Sequence, residues 1–193
     1  MNADITPLTG EPLGLDLVNT RARSGADSVD HLATPAGLRA WIALEAERLQ
    51  DFGGDALATI SQADLALIQA VRECATSAID HVRQGRTPPT STLRGLNQAL
   101  EAAPLHLELQ WNGTSMAALP RRTGSVIADL AACLAEAVAN VLTDPAVASI
   151  RKCEAEDCTM LFLPASPRRR WCAAARCGNR VRVARYYQRH KDS

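Results

Sequence analysis

Hydrophobic and polar positions divide the chain into several helical stretches, one alternating stretch and an irregular start. The breakers Pro7, Gly10, Pro12, Gly14, Gly25 and Pro35 predict that the first 35 residues are irregular. Leu38, Trp41, Ile42, Leu44 and Leu49 recur near helical spacing. They predict a helix over 35–50, with Thr34 as N-cap, Pro35 in the first helical position and Gly53-Gly54 as its end. Leu67, Val71, Cys74, Ala78 and Val82 form a stripe at i, i+4, i+7, i+11 and i+15, so a second helix runs from about Ser61 to Gln84. Gly85 and Pro88-Pro89 stop it. A third helix, about 91–103, is closed by Pro104. The run Leu105 to Trp111 then alternates with period 2, Asn112-Gly113 signals a tight turn, and Ser115 to Leu119 is placed as the returning strand. A last long helix, about 123–142, carries Val126, Leu130, Cys133, Ala137 and Val141 on one stripe and ends at Asp144-Pro145.

This pattern predicts an α+β chain that is mainly helical. Residues 1–147 form a helical domain with a small β-hairpin, and residues 148–193 form a compact four-cysteine module ending in a helix. The joint between them is too short for a flexible tether, so the module is expected to be docked. Cys74 and Cys133 lie inside apolar helical stripes and read as small buried hydrophobes. The chain shows no internal repeat and no low-complexity segment.

Hydrophobic residues make up 47% and charged residues 22%, which excludes a disordered or fibrous chain. The net charge of zero points away from nucleic acid until its distribution is read. Residues 1–150 carry 10 Lys/Arg and 17 Asp/Glu, whereas residues 151–193 carry 11 and 4. The balance is −7 against +7, and such asymmetry is an interaction signal. Met1 to Leu17 lacks the basic and apolar regions of a signal peptide. Val126 to Leu142 is interrupted by Asp129, Glu136 and Asn140 and reads as too short and too polar to span a bilayer. The expected location is therefore cytoplasmic, with no membrane partner. There, clustered cysteines read as metal ligands before disulfides.

Cys153, Cys158, Cys172 and Cys177 form two pairs, each with four intervening residues, separated by a 13-residue gap. Two short loops joined by a longer excursion deliver four soft ligands to one tetrahedral ion. A segment this small cannot bury enough apolar surface to fold without help, and a metal is the usual remedy. Phe162, Trp171, Tyr186 and Tyr187, four of the seven aromatics, sit in the same segment. The expectation is one structural zinc ion (Zn2+) per chain, with iron as the rival. Four thiolates leave no open position for catalysis.

The run Arg151-Lys-Cys-Glu-Ala-Glu-Asp-Cys158, with Leu161-Phe-Leu163, Ser166, Arg169-Arg-Trp-Cys172 and Cys177-Gly-Asn-Arg180, resembles the CGNR zinc finger of bacterial proteins. Leu15-Asp16-Leu-Val-Asn19-Thr20 and His31-Leu-Ala-Thr-Pro-Ala-Gly-Leu38 leading to Trp41 resemble the ABATE domain of stress-induced transcription regulators. Together the two resemblances span nearly the whole chain. Pro164 departs from the acidic residue that family members often carry after the Phe-Leu pair, at a position outside the cysteine set. The resemblance implies DNA binding by the finger and ligand sensing by the N-terminal domain.

Asn179 to His190 reads as a helix with Arg182, Arg185 and Arg189 on one face. Val181, Val183, Ala184, Tyr186 and Tyr187 are expected to turn toward the metal core. Arg168, Arg169 and Arg170 precede the second cysteine pair on a Pro-flanked loop. Arginine forks suit phosphate and guanine edges, so both sets are candidate nucleic-acid contacts. Six phosphate contacts would give a log–log salt slope near about −5. The alternatives are a solvated face or docking on the acidic domain of the same chain. Asn179 is expected to cap the helix or to donate to a cysteine sulfur, and Arg180 is weighed equally between structure and base contact.

His31, His81, His106 and His190 form no pair with each other or with a nucleophile, and no catalytic motif is present. The chain is therefore expected not to be an enzyme. Asp16, Asn19 and Thr20 are the candidates for polar contact with a small-molecule effector, against the simpler role of capping backbone. Arg121-Arg122 offer an anion contact near a helix start or a solvated pair. Three readings follow: a zinc-finger transcription regulator with a sensor domain, a zinc-finger protein-interaction module without DNA binding, and an enzyme with an unrecognised N-terminal site. A homodimer is expected only from the habit of small regulators.

Overall fold

The computed structural model describes residues 7–24, 27–52, 57 and 59–191. The expected terminator Gly53-Gly54 and the breaker Gly25 lie outside the described residues. The chain runs α1 (Leu13–Val18), β1 (Arg21–Ser24), β2 (Asp27–Asp30), α2 (Pro35–Leu44), α3 (Gln62–Val82), α4 (Thr90–Ala102), β3 (Leu105–Trp111), β4 (Met116–Arg122), α5 (Val126–Thr143), β5 (Arg151–Lys152), β6 (Leu161–Phe162) and α6 (Asn179–Lys191). Among the described residues the strands pair as three separate antiparallel hairpins. This is the expected mainly helical α+β architecture with a four-cysteine module and a final helix.

The start of the chain is more ordered than its breakers predict. α1 is too short to show a period, yet Leu15 and Leu17 are fully buried in the main core. Gly14 permits this, because a Cβ there would stand 2.9 Å from the Ala137 carbonyl of α5. β1 and β2 were invisible as strands because their residues are mostly polar.

α2 begins as expected, with the Thr34 hydroxyl accepting from the Gly37 N–H at 3.1 Å, but it ends at Leu44 instead of 50. α3 opens on a Ser61–Asp64 capping box. Its buried seam is Leu65, Ile68, Arg72, Ala75 and Ile79, with Val71 and Ala78 beside it. The stripe predicted through Leu67 and Val82 is therefore offset, and Leu67 is exposed. Arg72 is the reason: a stripe chosen for apolar side chains steps around an arginine at the seam's centre. Its guanidinium is buried, gripping both carboxylate oxygens of Asp30 at 2.5 and 2.8 Å and donating to the Thr20 hydroxyl at 3.1 Å.

α5 is the central helix, packed by α1, α3 and α4, with Leu130, Leu134 and Val138 fully buried. By length and composition it could cross a membrane, contrary to the expectation from its polar residues. Its packing is that of a core helix. Cys74 and Cys133 are half-buried, and burial pushes both thiols above their ordinary pKa.

The β3–β4 hairpin has the predicted alternation, but its turn spans Asn112 to Ser115, with Asn112 Oδ1 accepting from the N–H groups of Thr114 and Ser115. β4 consequently starts at Met116 and reaches Arg122. Its large apolar residues Leu105, Leu107, Leu109, Trp111 and Met116 are exposed.

Candidate metal centre

The C-terminal module folds on a second, smaller core made of the four cysteines with Ala22, Ala155, Met160 and Phe162. The β5–β6 hairpin carries Cys153 just after its first strand, and the Cys153 N–H donates to the Met160 carbonyl at 2.9 Å. Asp157 takes a left-handed backbone (φ 59°), which turns the four-residue spacer so that Cys158 points back at Cys153. The second pair uses a different device. Cys172 follows the arginine loop, and Cys177 lies in a single π turn, Ala174–Gly178, where its N–H reaches the Ala173 carbonyl.

All four sulfurs are buried and lie within 4.8 Å of one another. Cys172–Cys177, Cys158–Cys177 and Cys158–Cys172 are 3.5, 3.7 and 3.9 Å apart. A disulfide needs about 2.05 Å. A tetrahedral ion with thiolate ligands about 2.3 Å away sets its sulfurs about 3.8 Å apart. The donor set and its spacing therefore fit one tetrahedral ion. The thiols also titrate against one another: hydrogen bonds from Cys158 and Cys172 hold the Cys153 thiol well below its ordinary range, and the same contacts push Cys158 up to about 12 and Cys172 higher still. A divalent cation relieves that conflict by favouring the thiolate at every position. The Cys172 N–H donates to Cys153 Sγ at 3.4 Å, a contact that favours the charged sulfur.

The signature Cys177-Gly-Asn-Arg180 acquires a physical reading. Gly178 lies under the Trp171 indole, and a Cβ would meet the ring at 3.3 Å. Asn179 donates to the Ala175 carbonyl at 2.9 Å and accepts from Arg182, so it fastens the π turn to α6 and leaves the sulfurs alone. The sulfur contact belongs to Arg180, 3.9 Å from Cys177 Sγ, which also donates to the Glu156 carbonyl at 3.1 Å. Asn179 thus takes the helix-start role of its two expected ones, and Arg180 has structural contacts of its own.

The arginine loop divides. Arg169 turns inward: it pairs with buried Glu11 at 2.6 Å, donates to the carbonyls of Leu163, Trp171 and Cys172, and covers the Phe162 ring at 4.5 Å. Its guanidinium is thus held by protein groups, with only part of the side chain left at the surface. Arg170 is exposed and paired with Glu154. Arg168 is exposed. On α6, Arg182, Arg185 and Arg189 are all exposed. Val183, Tyr186 and Tyr187 are exposed as well, so the expectation that they pack on the metal core is corrected, and only Val181 reaches it. Four sulfurs and Phe162 already fill that small core, and α6 leaves it after its first turn.

Asp16, Asn19 and Thr20, the candidates for an effector, are fully buried and bonded within the chain. Asp16 accepts from the Gly10 and Glu11 N–H groups and pairs with Arg48 at 2.6 Å. Thr20 donates to the Leu17 carbonyl. Asn19 holds both backbone groups of Leu161. Arg121 pairs with Glu108, and Arg122 with Glu136 and the Ala103 carbonyl. Sequence reasoning missed the pair Glu11–Arg169, whose partners lie 158 residues apart and share no local signal.

A helical domain docked on a four-sulfur knot with a projecting basic helix defines the class, a two-part zinc-finger protein. Residues 11–145 match the ABATE family, described as a putative stress-induced transcription regulator, and residues 149–190 match the CGNR zinc finger. The chain belongs to the ABATE family and carries a CGNR zinc finger behind that domain. No curated protein matches it.

Proposed function

We propose that the chain is a cytoplasmic DNA-binding transcription regulator of a bacterial stress response, with one structural zinc ion held by Cys153, Cys158, Cys172 and Cys177. The observation that carries this reading is α6. Its base is fixed by the Cys177 turn, its exposed length presents Arg182, Arg185 and Arg189 beside Tyr186 and Tyr187, and the module that holds it is basic. Zinc bound to four thiolates lowers the module's charge from +7 to +5, still a strong attraction for phosphate. Arg169–Glu11 is one ion pair that joins the two parts, and it is made from the arginine loop, outside α6.

With Arg169 engaged internally and Arg170 paired with Glu154, the phosphate contacts reduce to about four, Arg168 and the three α6 arginines. The log–log salt slope of binding is then about −4. A shift assay with zinc-loaded protein on genomic fragments tests this. Absence of binding at low salt removes DNA recognition. Undiminished binding by the Arg182, Arg185, Arg189→Ala variant removes α6 as its surface. Metal analysis of unchelated protein tests the one-zinc stoichiometry.

Effector sensing, if carried by the helical domain, has a better location than Asp16, Asn19 and Thr20. A cavity of about 340 Å³ lies at the junction of α1, α5 and the finger, lined by Leu13, Leu15, Val141, Val147, Ile150 and Leu163, with Asn140 and Asp144 at its polar side. That size and lining suit a small amphipathic molecule. Indole as a probe should raise the melting temperature of the parent chain and leave that of Ala137→Phe unchanged. No shift in the parent removes the site.

A further inference from the structure

The β3–β4 hairpin presents its apolar face to solvent. Directly opposed residues of an antiparallel pair share a face. Leu107 with Pro120, Leu109 with Ala118, and Trp111 with Met116 therefore form one continuous apolar surface that Leu105 extends toward the base. Leu107 is 67% exposed, Leu109 70%, Trp111 63% and Met116 59%. The other face carries His106, Glu108, Gln110 and Arg121 together with Ala117 and Leu119, and Glu108 and Arg121 pair across it at 2.9 Å. A two-stranded ribbon with a bare apolar face is marginal in water.

We infer that this face is the interface through which two copies of the chain form a two-fold dimer, stacking hairpin on hairpin. Three features favour a second copy. First, the face holds no unpaired charge to select a charged partner, since its single ionic residue, Arg122, is bound to Glu136 and the Ala103 carbonyl. An uncharged apolar patch complements itself, as an isologous contact requires. Second, the row runs from Leu105 at the base to Trp111 at the tip, so a two-fold axis between Leu107 and Leu109 lays the indole of each copy on the smaller Leu105 of the other. Third, the five large side chains expose roughly 600 Å² per copy, so full stacking of a pair covers at most about 1,200 Å², the lower edge of a specific interface. Pro120 removes an N–H from β4, which disfavours growth through that strand's edge and leaves face-to-face stacking.

The dimer stands independently of DNA binding, and its test uses no nucleic acid. Light scattering and sedimentation of the zinc-loaded full chain from 1 to 100 µM should give twice the chain mass. The Leu107→Lys, Leu109→Lys double variant should give the single mass, with a dimer Kd raised about 100-fold or more by buried charge. Both positions are exposed in the single chain, so circular dichroism should stay unchanged. His106→Lys, on the opposite face, should remain dimeric. A parent chain that is monomeric at 100 µM overturns the inference and assigns the face to a different protein. A double variant that stays dimeric, or His106→Lys dissociating equally, overturns it as well.

Discussion

Asn19 and Leu161, 142 residues apart, hold each other by two hydrogen bonds: the Asn19 amide donates to the Leu161 carbonyl and accepts from its N–H, both at 2.9 Å. A side-chain amide here imitates a neighbouring strand. It satisfies the outer backbone groups of β6, which a two-residue strand cannot do alone. Leu161 itself belongs to the main helical core, so the finger is fastened by backbone and by packing together. Asn19→Ala leaves both Leu161 groups buried without partners. The expected loss is about 2–3 kcal/mol in urea unfolding. A loss near zero would mean that water replaces the amide and the clamp is incidental.

Glu11 makes a second fastening. Its carboxylate accepts from the Leu163 N–H at 2.9 Å and pairs with Arg169 at 2.6 Å. Because Arg169 also bonds the Cys172 carbonyl, this contact links the helical domain to the backbone of the four-cysteine cluster. Arg169→Ala should destabilise the chain by about 2–4 kcal/mol, and Arg169→Lys should rescue little, since one ammonium cannot serve the carboxylate and the carbonyls together. A double-mutant cycle with Glu11→Gln measures the coupling. Full rescue by lysine would reduce Arg169 to a charge.

Asp16 gives a pH signature. Its carboxyl is fully buried, and desolvation, opposed by the Arg48 hydrogen bond, raises its pKa to about 7. The folded chain then holds a proton that the unfolded chain releases near pH 4. Asp16 contributes most to stability below that pH, and its contribution falls as pH rises toward 7. The stability of Asp16→Asn relative to the parent should increase by about 2 kcal/mol between pH 5 and pH 7.5. Urea midpoints of both chains at the two pH values read it. A difference that stays constant would show that Arg48 keeps Asp16 ionised throughout.

The sequence disclosed those features that have a local cause. The Thr34 cap, the helix start at Ser61, the Asn112-Gly113 turn and the cysteine spacing all act within a few residues, and each is found in the structure. Features set by distant partners stayed hidden. Arg72 sits in the α3 seam because Asp30 meets it, and Arg169 leaves the basic loop because Glu11 meets it. Neither partner can be inferred from spacing. Asp16, Asn19 and Thr20, marked for an effector, are buried polar anchors bonded within the chain, and a polar residue that serves a distant backbone group looks the same in sequence as one that serves a ligand. Tyr186 and Tyr187 misled for the opposite reason: aromatic content predicts a core only where a core has room for it.

Metal removal separates the two cores. The helical part is built on Leu15, Trp41, Ile68, Ile79, Leu130 and other large apolar side chains, whereas the finger's core is four cysteines and four further residues. Such a small core holds only while the sulfurs are tied together. A strong chelator, or Cys172→Ser, should abolish hydrogen-exchange protection across 153–180 and leave α3 and α5 protected. Protection retained throughout the finger would mean that Asn19, Glu11 and Arg169 suffice without a metal. Loss in α3 and α5 as well would mean that the docked finger is a structural part of the helical core, with Leu161 as the contact that carries the collapse inward.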